Sequence, residues 1–165
     1  MNRVLKPQKL TAQAFAPFGD VIAADSAAAT INYGATQKYA DLATIRAEGD
    51  GRVAVHLYRS TPPAYPFVLR VMENHPLGSQ LFMPLSGRPY LVVVAPKGRF
   101  DPRAIAAFVA GPGQGVNYAP GTWHHYSLAV GAVSDFLVID REGPGDNLEE
   151  IALDGSILLA APEET

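Results

Sequence analysis

Glu73, His75 and Gln80 stand close together in the stretch ENHPLGSQLFMPLSGR, residues 73–88. A carboxylate, an imidazole and an amide at that spacing can do two kinds of chemistry. Singly, Glu and His take up and return protons. Together, they can hold a divalent cation through nitrogen and oxygen, the only donors left to a chain without cysteine. The chain has four histidines, and two more of them, His124 and His125, follow in GPGQGVNYAPGTWHHYSL, residues 111–128. Adjacent residues on a strand point to opposite faces, so only one of this pair can join the first three.

Strands must position these groups. Alternation places Phe67, Leu69, Val71, Glu73 and His75 on one face of a single strand. His75-Pro76-Leu77-Gly78 suits a type I turn, and Gln80 is then expected on the neighbouring strand. Short β-rich runs recur along the chain: VAVHLY (53–58), QLFMPL (80–85), YLVVVA (90–95), IAAFVA (105–110), WHHYSLAV (123–130) and SDFLVID (134–140). The 15 Gly and 14 Pro punctuate them, which predicts an antiparallel sandwich or barrel, because parallel strands need long crossovers. Thr11 predicts a short N-terminal helix ending before Gly19, Asp101-Pro102 predicts a turn, and KYADLATIRAEG is ambiguous.

Composition narrows the partners. At 165 residues, 48% of them apolar and 18% charged, the chain reads as one domain spanning 1–165 that buries roughly two-thirds of its unfolded surface. A net charge of −3 without a basic tract argues against nucleic acid as a partner. No apolar run spans a bilayer, and no apolar segment follows the early basic residues, so a cytoplasmic protein with a small-molecule ligand is expected.

The pattern Glu73-x-His75-x4-Gln80-x6-Gly87, followed by Pro120-Gly121-x2-His124, resembles the two motifs of the cupin superfamily. That resemblance selects His124 over His125 and implies a cupin-like antiparallel β-barrel, a double-stranded β-helix, with short peripheral helices. Here Glu73 stands for the usual first histidine, Gln80 for the usual glutamate, and Leu128 where asparagine is common. FAPFGDVI (15–22), INYG (31–34), the 73–87 stretch, YLVVVA, GQGVNY with TWHH (113–125) and DFLVIDR (135–141) together resemble the ureidoglycolate lyase family. The likeness implies release of urea from (S)-ureidoglycolate to give glyoxylate in allantoin (purine) degradation. It further implies a homodimer and a divalent metal, with nickel favoured.

Glu73, His75, Gln80 and His124 are thus the expected catalytic set and, if a metal is bound, its ligands. The substrate carboxylate needs a cationic anchor. Arg59 and Lys38 are candidates, and Asn32 and Tyr33 of INYGATQKY join them as expected substrate contacts. Ordinary packing is the expectation for His56, Trp123 and His125, a surface pair for Asp140 with Arg141, and a solvated loop for EGPGDNLEEI (142–151). A non-catalytic cupin-like module binding a small anion or sugar is the alternative.

Overall fold

The computed structural model describes residues 2–163. In chain order its strands begin with β1 (Arg3–Leu5), β2 (Gln8–Lys9), β3 (Gly19–Ile22), β4 (Ala29–Ile31), β5 (Thr36–Lys38) and β6 (Arg52–Ser60). They continue with β7 (Phe67–Val68), β8 (Val71–Asn74), β9 (Gln80–Pro84), β10 (Tyr90–Ala95), β11 (Ala106–Ala110) and β12 (Gly115–Tyr118). β13 (Trp123–His124), β14 (Leu128–Ala129), β15 (Ser134–Glu142), β16 (Glu149–Ala152) and β17 (Ile157–Leu159) complete them. Among the described residues helix is limited to α1 (Ala12–Phe15) and two single turns, Asn32–Gly34 and Pro102–Ala104. Thr11 caps α1 by accepting the Ala14 N–H at 3.2 Å, and the Asp101 side chain caps the last turn. The ambiguous segment KYADLATIRAEG forms no helix.

Two sheets face each other in a mainly β, cupin-like sandwich. One runs β16-β8-β13-β10-β11-β2, with β14 beside β10, and the other β3-β12-β9-β15-β6. Among the described residues no strand pairing joins the two, so the expected barrel takes an open form in which β6 is an unpaired edge. Phe15, Phe82, Tyr90, Val92, Phe108, Val116, Tyr118, Phe136 and Val138 fill the space between them. A third sheet, β1-β17-β7, lies over the back of the first and closes a second core with Leu69, Met72, Leu91, Val93, Trp123 and Leu128. β10 feeds both cores from alternate positions, which is why it reads as an unbroken apolar run.

The single strand expected over Phe67–His75 is divided. β7 pairs with β17 and β8 with β13 and β16, so the chain changes sheets at Leu69-Arg70. Leu69 and Met72 both enter the back core. The phase therefore slips by one at the change of sheet, and Leu69 does not share a face with Glu73. Val71 and Glu73 still alternate with Met72 and Asn74 along β8 itself.

His124 and His125 part as alternation requires. His125 goes to the back, edge-on to Phe67 at 5.6 Å, and its Nδ1 donates to the Tyr126 carbonyl at 3.1 Å. Burial holds its pKa down at about 4, against the opposing pull of that hydrogen bond. The unfolded chain binds this proton near pH 6.5, so stability falls as pH drops from 6.5 toward 4. Urea denaturation between pH 7 and 4 should show this fall, and His125→Phe should make it shallower by up to about 1.4 kcal/mol per pH unit.

Candidate active site

His124 enters the space between the two facing sheets from β13. Its direct partner across the β13–β8 ladder is Glu73, so the two side chains share a face, with Nδ1 and Oε1 3.8 Å apart. The Tyr118 ring, from the opposing sheet, stacks flat on the imidazole at 4.3 Å and an interplanar angle of 3°. His75 lies just beyond the end of β8, its ring 5.2 Å from that of His124. One ligand atom from each of Glu73, His75 and His124 falls within 4.8 Å of the others.

Gln80 reaches the same space from β9. β9 belongs to the second sheet, so Gln80 faces Glu73 and His124 across the sandwich and is not on a neighbouring strand as expected. Its Nε2 donates to Asp140 Oδ2 at 3.1 Å. Asp140 also bonds His56 Nε2 through its other oxygen at 3.0 Å. The amide is thereby turned with Oε1 free of any protein donor.

The hydrogen bonds that are made define those that are not. His75 Nδ1 donates to the Asn147 carbonyl at 2.7 Å and His124 Nδ1 to the His125 carbonyl at 3.3 Å. Both rings are left with an Nε2 lone pair, and His75 Nε2, His124 Nε2 and Gln80 Oε1 are all buried without a partner. Seven such atoms occur among the described residues; two of these three sit on rings 5.2 Å apart and the third on a side chain that faces them across the sandwich, which points to a group that satisfies them. Two imidazole nitrogens with an outer carbonyl fixing the tautomer, an amide oxygen and a nearby carboxylate suit a divalent cation.

Burial also sets the protonation states. It raises the pKa of Glu73, a rise that His75 opposes and Glu150 adds to. Burial, then the charge of His75, lowers His124 to about 3, so that ring stays neutral and able to act as a ligand. Tyr118 is pushed up by burial and by Glu73 and keeps its proton.

The other expected residues lie elsewhere. Arg59 points outward from β6, where Nε and Nη2 donate to Asp135 at 2.7 and 2.9 Å, and its side chain lies on the surface, not among these residues. Asn32, Tyr33 and Lys38 lie on the β4–β5 hairpin, whose strands among the described residues pair only with each other, and every one of them is exposed. Asp140 and Arg141 do not form a surface pair. Arg141 is buried behind β15, donating to the Glu48 and Pro144 carbonyls at 2.8 and 2.6 Å, in a recess where a side chain at Gly78 would come within 2.6 Å of it. The loop it holds supplies Asn147 to His75 and Leu77, and residues 149–151, the end of the expected solvated loop, belong to β16.

Tyr118 and Asn147 escaped the sequence reading, and Asp140 entered it only as half of an expected surface pair. Two of them carried a signal: Tyr118 ends the alternating GVNY and Asp140 ends SDFLVID in phase with buried Phe136 and Val138. Asn147, in a run of Gly, Pro and acidic residues, carried none.

The family model described as ureidoglycolate lyase matches residues 2–160 of this chain. A ureidoglycolate lyase of Burkholderia mallei (strain NCTC 10229) is 51% identical over 159 residues, 95% of this chain and 94% of the relative. Ureidoglycolate lyase 1 of Rhizobium meliloti (strain 1021) is 46% identical over 98% of this chain and 96% of its own length. The ureidoglycolate lyase of Agrobacterium fabrum (strain C58 / ATCC 33970) is 46% identical over 98% of this chain and 99% of its own. Matched by the family model over almost its whole length and by these relatives at 46–51% identity, the chain belongs to the ureidoglycolate lyase family.

Proposed function

We propose that this protein is a ureidoglycolate lyase, releasing urea from (S)-ureidoglycolate to leave glyoxylate, a step of allantoin degradation. The observation that carries the reading is the set of three orphaned buried donors beside a carboxylate of raised pKa. The substrate carries a carboxylate, a hydroxyl and a ureido nitrogen on one carbon. Breaking its C–N bond moves one proton, from the hydroxyl oxygen to the departing nitrogen, so a single group can take it and give it back. Glu73 suits this role: its side chain is 23% exposed where that of His124 is 1%, and its raised pKa brings a carboxylate nearer neutrality.

His75, His124 and Gln80 would hold a divalent metal through Nε2, Nε2 and Oε1, with Glu73 next to it; nickel is the choice the family resemblance favours. When bound, the metal supplies Lewis acidity that lowers the pKa of a coordinated hydroxyl. Tyr118 and the aromatic core behind it keep bulk water from the His124 imidazole.

The partner we propose is a second copy of the chain. On the outward face of the edge strand β6, Val55 is 65% and Leu57 63% exposed, with Val53 beside them. An apolar, unpaired sheet edge is a liability that a two-fold contact relieves. The exposed hairpin bearing Asn32, Tyr33 and Lys38 is free to reach across such a contact toward the substrate. We place the protein in the cytoplasm, in keeping with its lack of cysteine. Among the described residues no helix is long and apolar enough to cross a membrane.

Release of urea and glyoxylate from ureidoglycolate should exceed the spontaneous rate, fall after chelation and recover with added nickel. No release under any metal condition would end the lyase reading. Glu73→Gln should lower kcat by about 10²–10⁴ while metal content, read by elemental analysis, is retained. Loss of the metal in that variant would make Glu73 a ligand and not the proton carrier. Leu57→Glu should shift the protein from dimer to monomer in analytical ultracentrifugation without loss of its circular dichroism spectrum.

A further inference from the structure

A second cluster adjoins the site and is not used by the chemistry above. His56 and Tyr58 alternate on the inner side of β6, and Asp140 and Glu142 on the inner side of β15, which pairs with β6 along its whole length. Asp140 follows Phe136 and Val138, both fully buried, on the same face, so it points into the space between the sheets. His56 Nε2 lies 3.0 Å from Asp140 Oδ1 and 3.7 Å from Glu142 Oε1. The cluster is graded toward solvent: the side chain of Asp140 is 16% exposed and that of Glu142 51%.

Three features separate it from an ordinary surface ion pair. Among the described residues neither carboxylate is paired with a lysine or arginine, although Arg52 stands opposite Glu142 in the ladder. Gln80, buried and with an orphaned Oε1, is bonded directly to Asp140 and so joins this cluster to His75 and His124. Tyr58 shares the inner side of β6 with His56, its ring 6.2 Å from the imidazole, and burial first, then the charges of Asp140, Glu73 and Glu142, raise its pKa, so its hydroxyl keeps its proton.

These groups match one end of the substrate better than the other. A substrate carboxylate is repelled by Asp140 and Glu142, and the divalent cation that His75, His124 and Gln80 would hold would draw it to the imidazole end. A ureido group is neutral, its N–H groups donate to carboxylate oxygens, and its carbonyl accepts from a hydroxyl. We propose that Asp140, Glu142 and Tyr58 form the subsite for the ureido end of the substrate, with His56 and Gln80 holding Asp140 in position. The assignment rests on the lyase reading and sets the orientation of the substrate. The carboxylate and hydroxyl lie toward Glu73, His75 and His124, and urea leaves past β6 and β15.

Two probes divide the substrate between them. N-carbamoylglycine has the carboxylate and the ureido group without the hydroxyl, and glycolate has the carboxylate and hydroxyl without the ureido group. By titration calorimetry on the metal-loaded protein, Asp140→Asn, whose remaining side-chain carbonyl still accepts from Gln80 Nε2, should weaken N-carbamoylglycine by about tenfold or more, the loss of a charged hydrogen bond, and leave glycolate within about twofold. Glu142→Gln, a half-exposed position where folding is not at stake, should weaken N-carbamoylglycine in the same selective way, by a smaller factor. Equal weakening of both probes would reduce Asp140 to a support for Gln80, and unchanged binding of N-carbamoylglycine in both variants would equally overturn the subsite. Parent protein that turns over ureidoglycolate but binds N-carbamoylglycine no better than glycolate would remove the subsite and keep the lyase. Parent protein that neither turns over ureidoglycolate nor binds either probe would remove both.

Discussion

An imidazole sealed between two sheets under a tyrosine ring is the constraint on which this site is built. His124 has nowhere to send a proton and no solvent to share one with, so it remains a neutral donor pair with one nitrogen committed to a carbonyl and the other free. Everything nearby is arranged around that free nitrogen. Glu73 comes from the adjacent strand of the same sheet, Tyr118 and Gln80 from the opposing sheet, and His75 from the turn that leaves β8. The same dryness that makes each orphaned atom costly makes any charge placed there interact strongly.

Holding such a site takes more than the residues in it. β15 supplies support from both its faces: Asp140 on the inside fixes the amide of Gln80, and Arg141 on the outside ties down the loop whose Asn147 carbonyl fixes the tautomer of His75. Gly78 lies where any larger side chain would collide with that arginine. One nine-residue strand thus sets two of the three free donor atoms, each through a single intermediate. Outer-shell carbonyls and carboxylates of this kind orient ligands in metal sites generally.

Much of this was legible before any coordinates. Period-two alternation placed Glu73 on the inner face of its strand, and it required His124 and His125 to diverge, as they do. The apolar runs announced the strands, although FVLRVME proved to be two of them, because a chain that changes sheets resets its phase and nothing local marks the change. Arg59 shows the opposite limit. A guanidinium at a strand end invites a role in anion binding, but its partner, Asp135, is far away in sequence and directly opposite in the ladder.

The amino-acid sequence by itself determined the class of fold, the family and the inventory of chemistry, since these follow from residue type, local periodicity and short motifs. Which groups meet was decided only by the tertiary structure. Gln80 reaches Asp140 and His75 reaches Asn147 because distant strands pair in a particular register, and register comes from the packing of whole faces. The orphaned atoms are likewise a property of burial, which no single residue possesses until the two sheets have closed over it.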